Sequence, residues 1–411
     1  MPVLQDNMQA RMHNLNRVLL RVFLRLKLRC LATIVLLLSS QLTLAQSALP
    51  GLQADFPEPQ KDYGLYIEDA RGHISRFQMS GREDEAIEIN LPFELKASSA
   101  AEYRGRFLLF HGLNDSPYVW RDMAESLSGL GFDVRAILLP GSGTTPVAML
   151  DVSFRDWLRA SREHLANWYE PDVPMFLGGF SLGGVIATIL ALEEPGIDGL
   201  FLVSPAYHSK LNHLLRWSWI YQRRHSWLFG GMIIEDNPAK YNSITINSGT
   251  QYYNTSRYLK RRWGGKKLSM PVVMVATADD SVIDIDYMRS IYRKRFTNDQ
   301  RRFVLYTNDT SIMMAGTEVH RRSANPDLRI LNQSHLSLIN HTDNPLFGRS
   351  RRILVCNGNE PQIFFSCLRA QEHWFGAQHT PSPDGVDVAR TTYNPDYDFI
   401  IDQIDEVLRT N

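Results

Sequence analysis

The feature that most constrains this chain is an alternation of apolar runs with apolar residues at helical spacing. The runs fall at residues 107–110, 134–139 (interrupted once, by Arg135), 175–177, 200–203 and 272–275. Between them, Trp120, Met123, Ala124 and Leu127, then Phe154, Trp157, Leu158 and Leu165, then residues 185–192, repeat with the period of a helix. A strand open to water on one face alternates apolar with polar residues. A strand that is apolar throughout has both faces covered. The pattern therefore predicts an α/β fold: a mostly parallel sheet with helices on both faces. Further strands are expected at 302–306 and 328–331, and a last helix around Ile400, Ile404 and Val407.

The alternation lapses between residues 208 and 269, which reads as an insertion, here called the cap, between two halves of the body, 63–207 and 270–411. With 411 residues the chain can hold one large domain and such an insertion. The insertion is rich in aromatics, among them Trp217, Trp219, Tyr221, Trp227, Tyr241, Tyr252 and Trp263. Most are expected to form the cap's own core, with others lining an apolar binding tunnel. The basic run Lys260, Arg261, Arg262, Lys266, Lys267 is read as a solvated face, with anionic lipid headgroups as the functional alternative.

Residues 1–45 read as a targeting segment, followed by a linker at 46–62. A basic stretch precedes an apolar run from Leu31 to Ala45, about the length of a secretory signal core and short for a membrane span. Arg17, Arg21, Arg25 and Arg29 recur every four residues, which also suits an uncleaved anchor lying on a membrane. Of the 44 basic and 44 acidic residues, this segment takes six and one, leaving 38 and 43. A mildly acidic body gives no electrostatic reason to expect nucleic-acid binding. Export is expected, to the periplasm or beyond, with inner-membrane anchoring as the variant reading. Two cysteines follow the segment, Cys356 and Cys367, and an oxidising compartment favours a local disulfide between them.

The chemistry centres on Gly179-Phe-Ser-Leu-Gly183, with an apolar strand leading in and an apolar helix leading out. That context is what a nucleophile elbow requires, with Ser181 as nucleophile. In such an elbow the acid and then the base follow in chain order. Asp280 fits the acid, at the end of the 272–275 strand, with Asp279 as its rival. His335, just past the 328–331 strand, fits the base, with His341 and His320 as rivals. The backbone N–H groups of Leu113 and Leu182 are expected to form an oxyanion hole, and His111 to shape its loop. No spacing of His and Cys suggests a metal site, and the chemistry needs no cofactor.

His111-Gly-Leu-Asn-Asp-Ser-Pro117, Leu139-Pro-Gly-Ser-Gly-Thr-Thr145, the Ser181 pentapeptide, Asp280-Ser-Val-Ile283 and Ser334-His335 occur in an order that resembles the α/β-hydrolases. Among these they are similar to the monoacylglycerol lipase and lysophospholipase-like branch. Asp343-Asn-Pro-Leu-Phe-Gly348 and Thr392-Tyr-Asn-Pro395 look like a bacterial esterase-like subgroup. The likeness runs from about residue 100 to the C-terminus. Ser142 departs from it, since relatives often carry His there. The resemblance implies a serine esterase or lipase acting on small-molecule or lipid esters, with surface contact to a membrane through the N-terminus or cap. Two other readings stand beside it: a serine peptidase, of the aminopeptidase kind, on the same fold, and a catalytically silent binding protein.

Overall fold

The computed structural model describes residues 56–77, 84–228, 237–356 and 361–409. The targeting segment and most of the expected linker lie outside the described residues. The chain order is α1 (Tyr63–Phe77), α2 (Asp84–Asn90), β1 (Phe93–Leu95), β2 (Gly105–Phe110), α3 (Arg121–Gly129), β3 (Phe132–Ile137), α4 (Phe154–Trp168), β4 (Met175–Phe180), α5 (Leu182–Glu193) and β5 (Gly199–Val203). Then come α6 (Asn212–Leu215), α7 (Ser218–Tyr221), α8 (Ile246–Trp263), β6 (Val272–Thr277), α9 (Ile285–Arg295), β7 (Arg301–Thr307) and β8 (Glu318–Arg322). The last elements are α10 (Pro361–Arg369), β9 (Trp374–Gly376), β10 (Val388–Arg390) and α11 (Tyr397–Val407).

Eight strands form one sheet in the order β1-β3-β2-β4-β5-β6-β7-β8. Every pairing is parallel except that of the short edge strand β1 with β3. The continuous apolar runs work as the pattern implied, because neighbouring residues serve opposite faces. Leu108 and Phe110 of β2 pack with α4, α5, α8 and α9, whereas Phe107 and Leu109 pack with α3 and α11. Each large side chain so buried contributes about 1.5–3 kcal/mol.

One expected strand is absent. Residues 328–331 are not in the sheet; Pro326–Leu328 is a single 3-10 turn and Arg329 has φ 55°. A left-handed residue breaks an extended run, and Ile330 keeps only an isolated bridge to Phe375. The sheet ends instead at β8, which carries His320. Its polar sequence fits an edge: Glu318 points inward and is held by Arg289 and Arg293 at 2.7 Å each.

Within the 208–269 insertion, α8 starts at Thr245, whose Oγ1 accepts from Ser248 N, and ends at left-handed Gly264. Tyr252, Leu259 and Trp263 of α8 join the main core against α5, so these aromatics do not form a separate cap core. At the C-terminal side, β9 and β10 pair in a small parallel ribbon. Cys356 and Cys367 are joined by a disulfide and are buried with Ile330, Phe375, Ala389 and Tyr393.

Candidate active site

Ser181 stands between the last residue of β4 and the first of α5, with φ 54° and ψ −113°. A left-handed non-glycine residue stores about 1–3 kcal/mol of strain, so the surroundings must hold it. Its N–H donates to Val203 O (3.0 Å), and its carbonyl accepts from Gly184 N (3.1 Å) and Ala206 N (2.9 Å). The pentapeptide glycines are dictated by contact. A Cβ on Gly183 would lie 1.9 Å from Phe110 O, and one on Gly179 would lie 2.4 Å from Gly183 O. Only a bare backbone lets the strand, the turn and the helix approach this closely.

Asp280 follows β6 and is fully buried. Its Oδ1 accepts from the N–H groups of Val282 (2.8 Å) and Ile283 (3.0 Å), and its Oδ2 lies 2.6 Å from His335 Nδ1. Burial by itself would raise the carboxyl's pKa. The charge and hydrogen bond of His335, with the two backbone donors, outweigh it and hold the group below the usual carboxylate range. The His335 ring lies against Phe180, the residue before Ser181, with 5.1 Å between centroids. Among the described residues Ser181 Oγ has no hydrogen-bonding partner.

The rival residues are held elsewhere. Asp279 faces Ser323, whose Oγ donates to it at 3.4 Å. The backbone N–H of His341 donates to Asp122 Oδ2 (2.6 Å), and its ring packs edge-on against Tyr397. His320 lies on β8, with burial pulling its pKa down.

The loop after β2 presents Leu113. Its N–H and that of Leu182, the first residue of α5, donate to no protein acceptor among the described residues. His111 is buried beneath this loop, its Nδ1 2.8 Å from Gly112 O and its Nε2 accepting from Leu139 N at 3.0 Å. Burial pushes its pKa down to about 4, so the ring is a neutral strut. Lys240 pairs with Asp115 (3.0 Å) and Tyr241 N donates to Asn114 O (2.9 Å), which ties the loop to the insertion. Among the described residues no group of three or more His, Cys, Asp or Glu side chains is gathered to hold a metal.

Two cations near Asp280 were not apparent in the sequence. Lys210 Nζ donates to the backbone carbonyl of Asp280, and Arg390 Nη1 lies 3.5 Å from Ser281 Oγ. They stand 70 and 109 residues from their partners, and no local pattern marks them. The Asn-Pro-Leu-Phe-Gly stretch has a structural explanation. Asn344 Oδ1 accepts from Leu346 N and Phe347 N, while its Nδ2 donates to both oxygens of Asp122.

Comparison with known proteins places this geometry in context. A thermostable monoacylglycerol lipase of Bacillus sp. (strain H-257) is 33% identical over 100 residues, 24% of this chain and 40% of that protein. Human monoglyceride lipase is 33% identical over 99 residues, 23% of this chain and 33% of that protein. The chain thus spans well under half the length of these relatives. Among solved structures, a soluble variant of Saccharomyces cerevisiae monoglyceride lipase gives a TM-score of 0.43 at 16% identity, covering 56% of this chain and 85% of that one. The metagenome-derived lipolytic enzymes LipS and LipT give 0.45 at 19%, covering 53% and 87%. The family model described as serine aminopeptidase, S33, matches residues 101–308, half of the sequence and most of the parallel sheet, and the chain therefore belongs to that family of α/β-hydrolases.

Proposed function

We propose that this protein is a serine hydrolase of carboxylic esters, acting on acylglycerol- or lysophospholipid-like lipids. The observation that carries the reading is the 2.6 Å contact of Asp280 with His335, whose ring lies against Phe180, the neighbour in sequence of a strained elbow serine. Ser181 Oγ attacks the acyl carbon while His335 Nε2 takes its proton. Asp280 holds the imidazole through Nδ1 and stabilises the imidazolium. Negative charge gathers on the carbonyl oxygen only in the tetrahedral intermediate, where the N–H groups of Leu113 and Leu182 receive it. Losing one such donor typically costs about 3–4 kcal/mol. The proton then passes to the leaving alcohol, and water repeats the sequence on the acyl-enzyme.

The lipid preference rests on the local likeness to the two lipases and on the surface of α6 and α7. Trp217, Trp219 and Tyr221 are 48%, 50% and 61% exposed, with Leu211, Leu214 and Ile220 exposed beside them. Residues 208–234 contain no acid, and Arg216 and Arg223 lie over the rings of Trp217 and Trp219. Apolar rings with cations among them suit an anionic lipid surface. We place the protein in an exported compartment, on the strength of residues 1–45 and the disulfide.

The test is turnover of p-nitrophenyl esters of increasing chain length beside aminoacyl anilides, with fluorophosphonate labelling of wild type and Ser181→Ala. Ester turnover and labelling that both vanish in the variant support the reading. Faster cleavage of the anilides would favour the peptidase that the family description suggests. Absence of labelling in the wild type would leave a binding protein.

A further inference from the structure

Arg390 ends β10, inside the disulfide-closed lobe. Its backbone N–H donates to Val355 O (2.8 Å), next to bonded Cys356, while its guanidinium reaches Ser281, the residue after Asp280. The following residues hold the other half of the acid–base pair. Thr391 O accepts from Ser334 Oγ (2.6 Å), Thr391 Oγ1 donates to Asn332 O (2.7 Å), and Thr392 O accepts from Asn340 Nδ2 (2.8 Å). Leu331 N donates to Phe375 O of β9 (2.8 Å). The loop that carries His335 is therefore pinned before, beside and after the ring to one lobe, and the same lobe delivers a cation to the loop of Asp280.

The other charged and titratable groups around the pair have separate partners. Lys210 donates to the backbone carbonyl of Asp280, Asp279 faces Ser323, and the Tyr252 hydroxyl on α8 donates to Ala206 O. Burial pulls the Arg390 guanidinium down to about 10, and the negative charge of Asp280 opposes that shift.

We propose that the Cys356–Cys367 lobe is the scaffold of the acid–base pair and that Arg390 is its positioning residue, bracing the Asp280 loop through Ser281. This rests on the ester-hydrolase reading for its kinetic consequences but not for its structural ones.

The experiment compares Arg390→Met, Arg390→Lys and the double variant Cys356→Ser/Cys367→Ser with wild type. For Arg390→Met, kcat on a soluble short ester should fall about tenfold, with KM changed by less than about twofold. Arg390→Lys should recover most of the lost kcat, and the double variant should lower kcat in the same way as Arg390→Met. A second readout needs no turnover: the low-field proton NMR signal of His335 Nδ1–H, identified by its loss in His335→Ala, should broaden in Arg390→Met and sharpen again in Arg390→Lys. A wild type that shows this signal and its response but cleaves no ester removes the function and leaves the positioning role. An unchanged kcat and an intact signal in Arg390→Met overturn the role. If Arg390→Met does not fold, a signal as broad in Arg390→Lys as in the double variant, with kcat at the wild-type level, overturns it equally.

Discussion

The two ends of the insertion between β5 and β6 are both rich in aromatic rings and put them to opposite uses. On α8, Tyr252 and Trp263 are buried against α5 and the body of the enzyme. On α6 and α7, Trp217, Trp219 and Tyr221 are turned to solvent. Composition is the same kind of signal at both ends. The difference is length and anchoring: α8 runs 18 residues with a cap at each end, while α6 and α7 have four residues each. A four-residue turn cannot bury a stripe of its own, so its rings wait for another surface.

The largest expected effect that would break this comparison is at Trp263. Trp263→Ala should destabilise the protein by about 3–5 kcal/mol in urea unfolding, because the ring fills the space between Phe296 and the α5 core. A loss under 1 kcal/mol would mean that α8 is as loosely held as α7. Next in size is Asn247, which joins the two ends. Its Nδ2 donates to Met149 O and Val152 O, and its Oδ1 accepts from Gln222 just past α7. Asn247→Ala leaves the Val152 carbonyl without its donor and the Met149 carbonyl with only the 3.4 Å bond from Thr245 Oγ1, and should cost about 1–3 kcal/mol, read in the same unfolding experiment. The smallest effect on stability belongs to Trp219→Ala, within about 0.5 kcal/mol of wild type. Its effect should appear in co-sedimentation with anionic vesicles, where retention falls, while zwitterionic vesicles bind both proteins poorly. Equal retention of Trp219→Ala and wild type would show that the exposed rings do not meet lipid.

What was legible in the sequence follows the distance over which each feature is determined. The strands from β2 to β7 are apolar because helices cover both faces, and a covered strand announces itself residue by residue. β8 does not, since an edge strand holding Glu318 inward between two arginines resembles a loop. Residues 328–331 read as a strand from composition, yet the backbone at Arg329 is left-handed and only Ile330 finds a partner. Ser181 was readable because its glycines are needed within five residues of it. The approach of Asp280 to His335 spans 55 residues and was suggested by chain order and by expected strand ends, of which that at 328–331 is not a strand, while Arg390 left no trace.

The glycine contacts at the elbow have a consequence for inheritance. Position 183 is blocked by the carbonyl of Phe110 and position 179 by the carbonyl of Gly183, and neither obstacle is a flexible side chain that can step aside. Every amino acid other than glycine carries a Cβ, so the clash does not depend on which replacement arrives. In a library covering every codon, these two positions should keep glycine alone among active clones, with no conservative neighbour to drift through. The lineage of this protein can remodel its exposed α6 and α7 turns, but its elbow admits no intermediate.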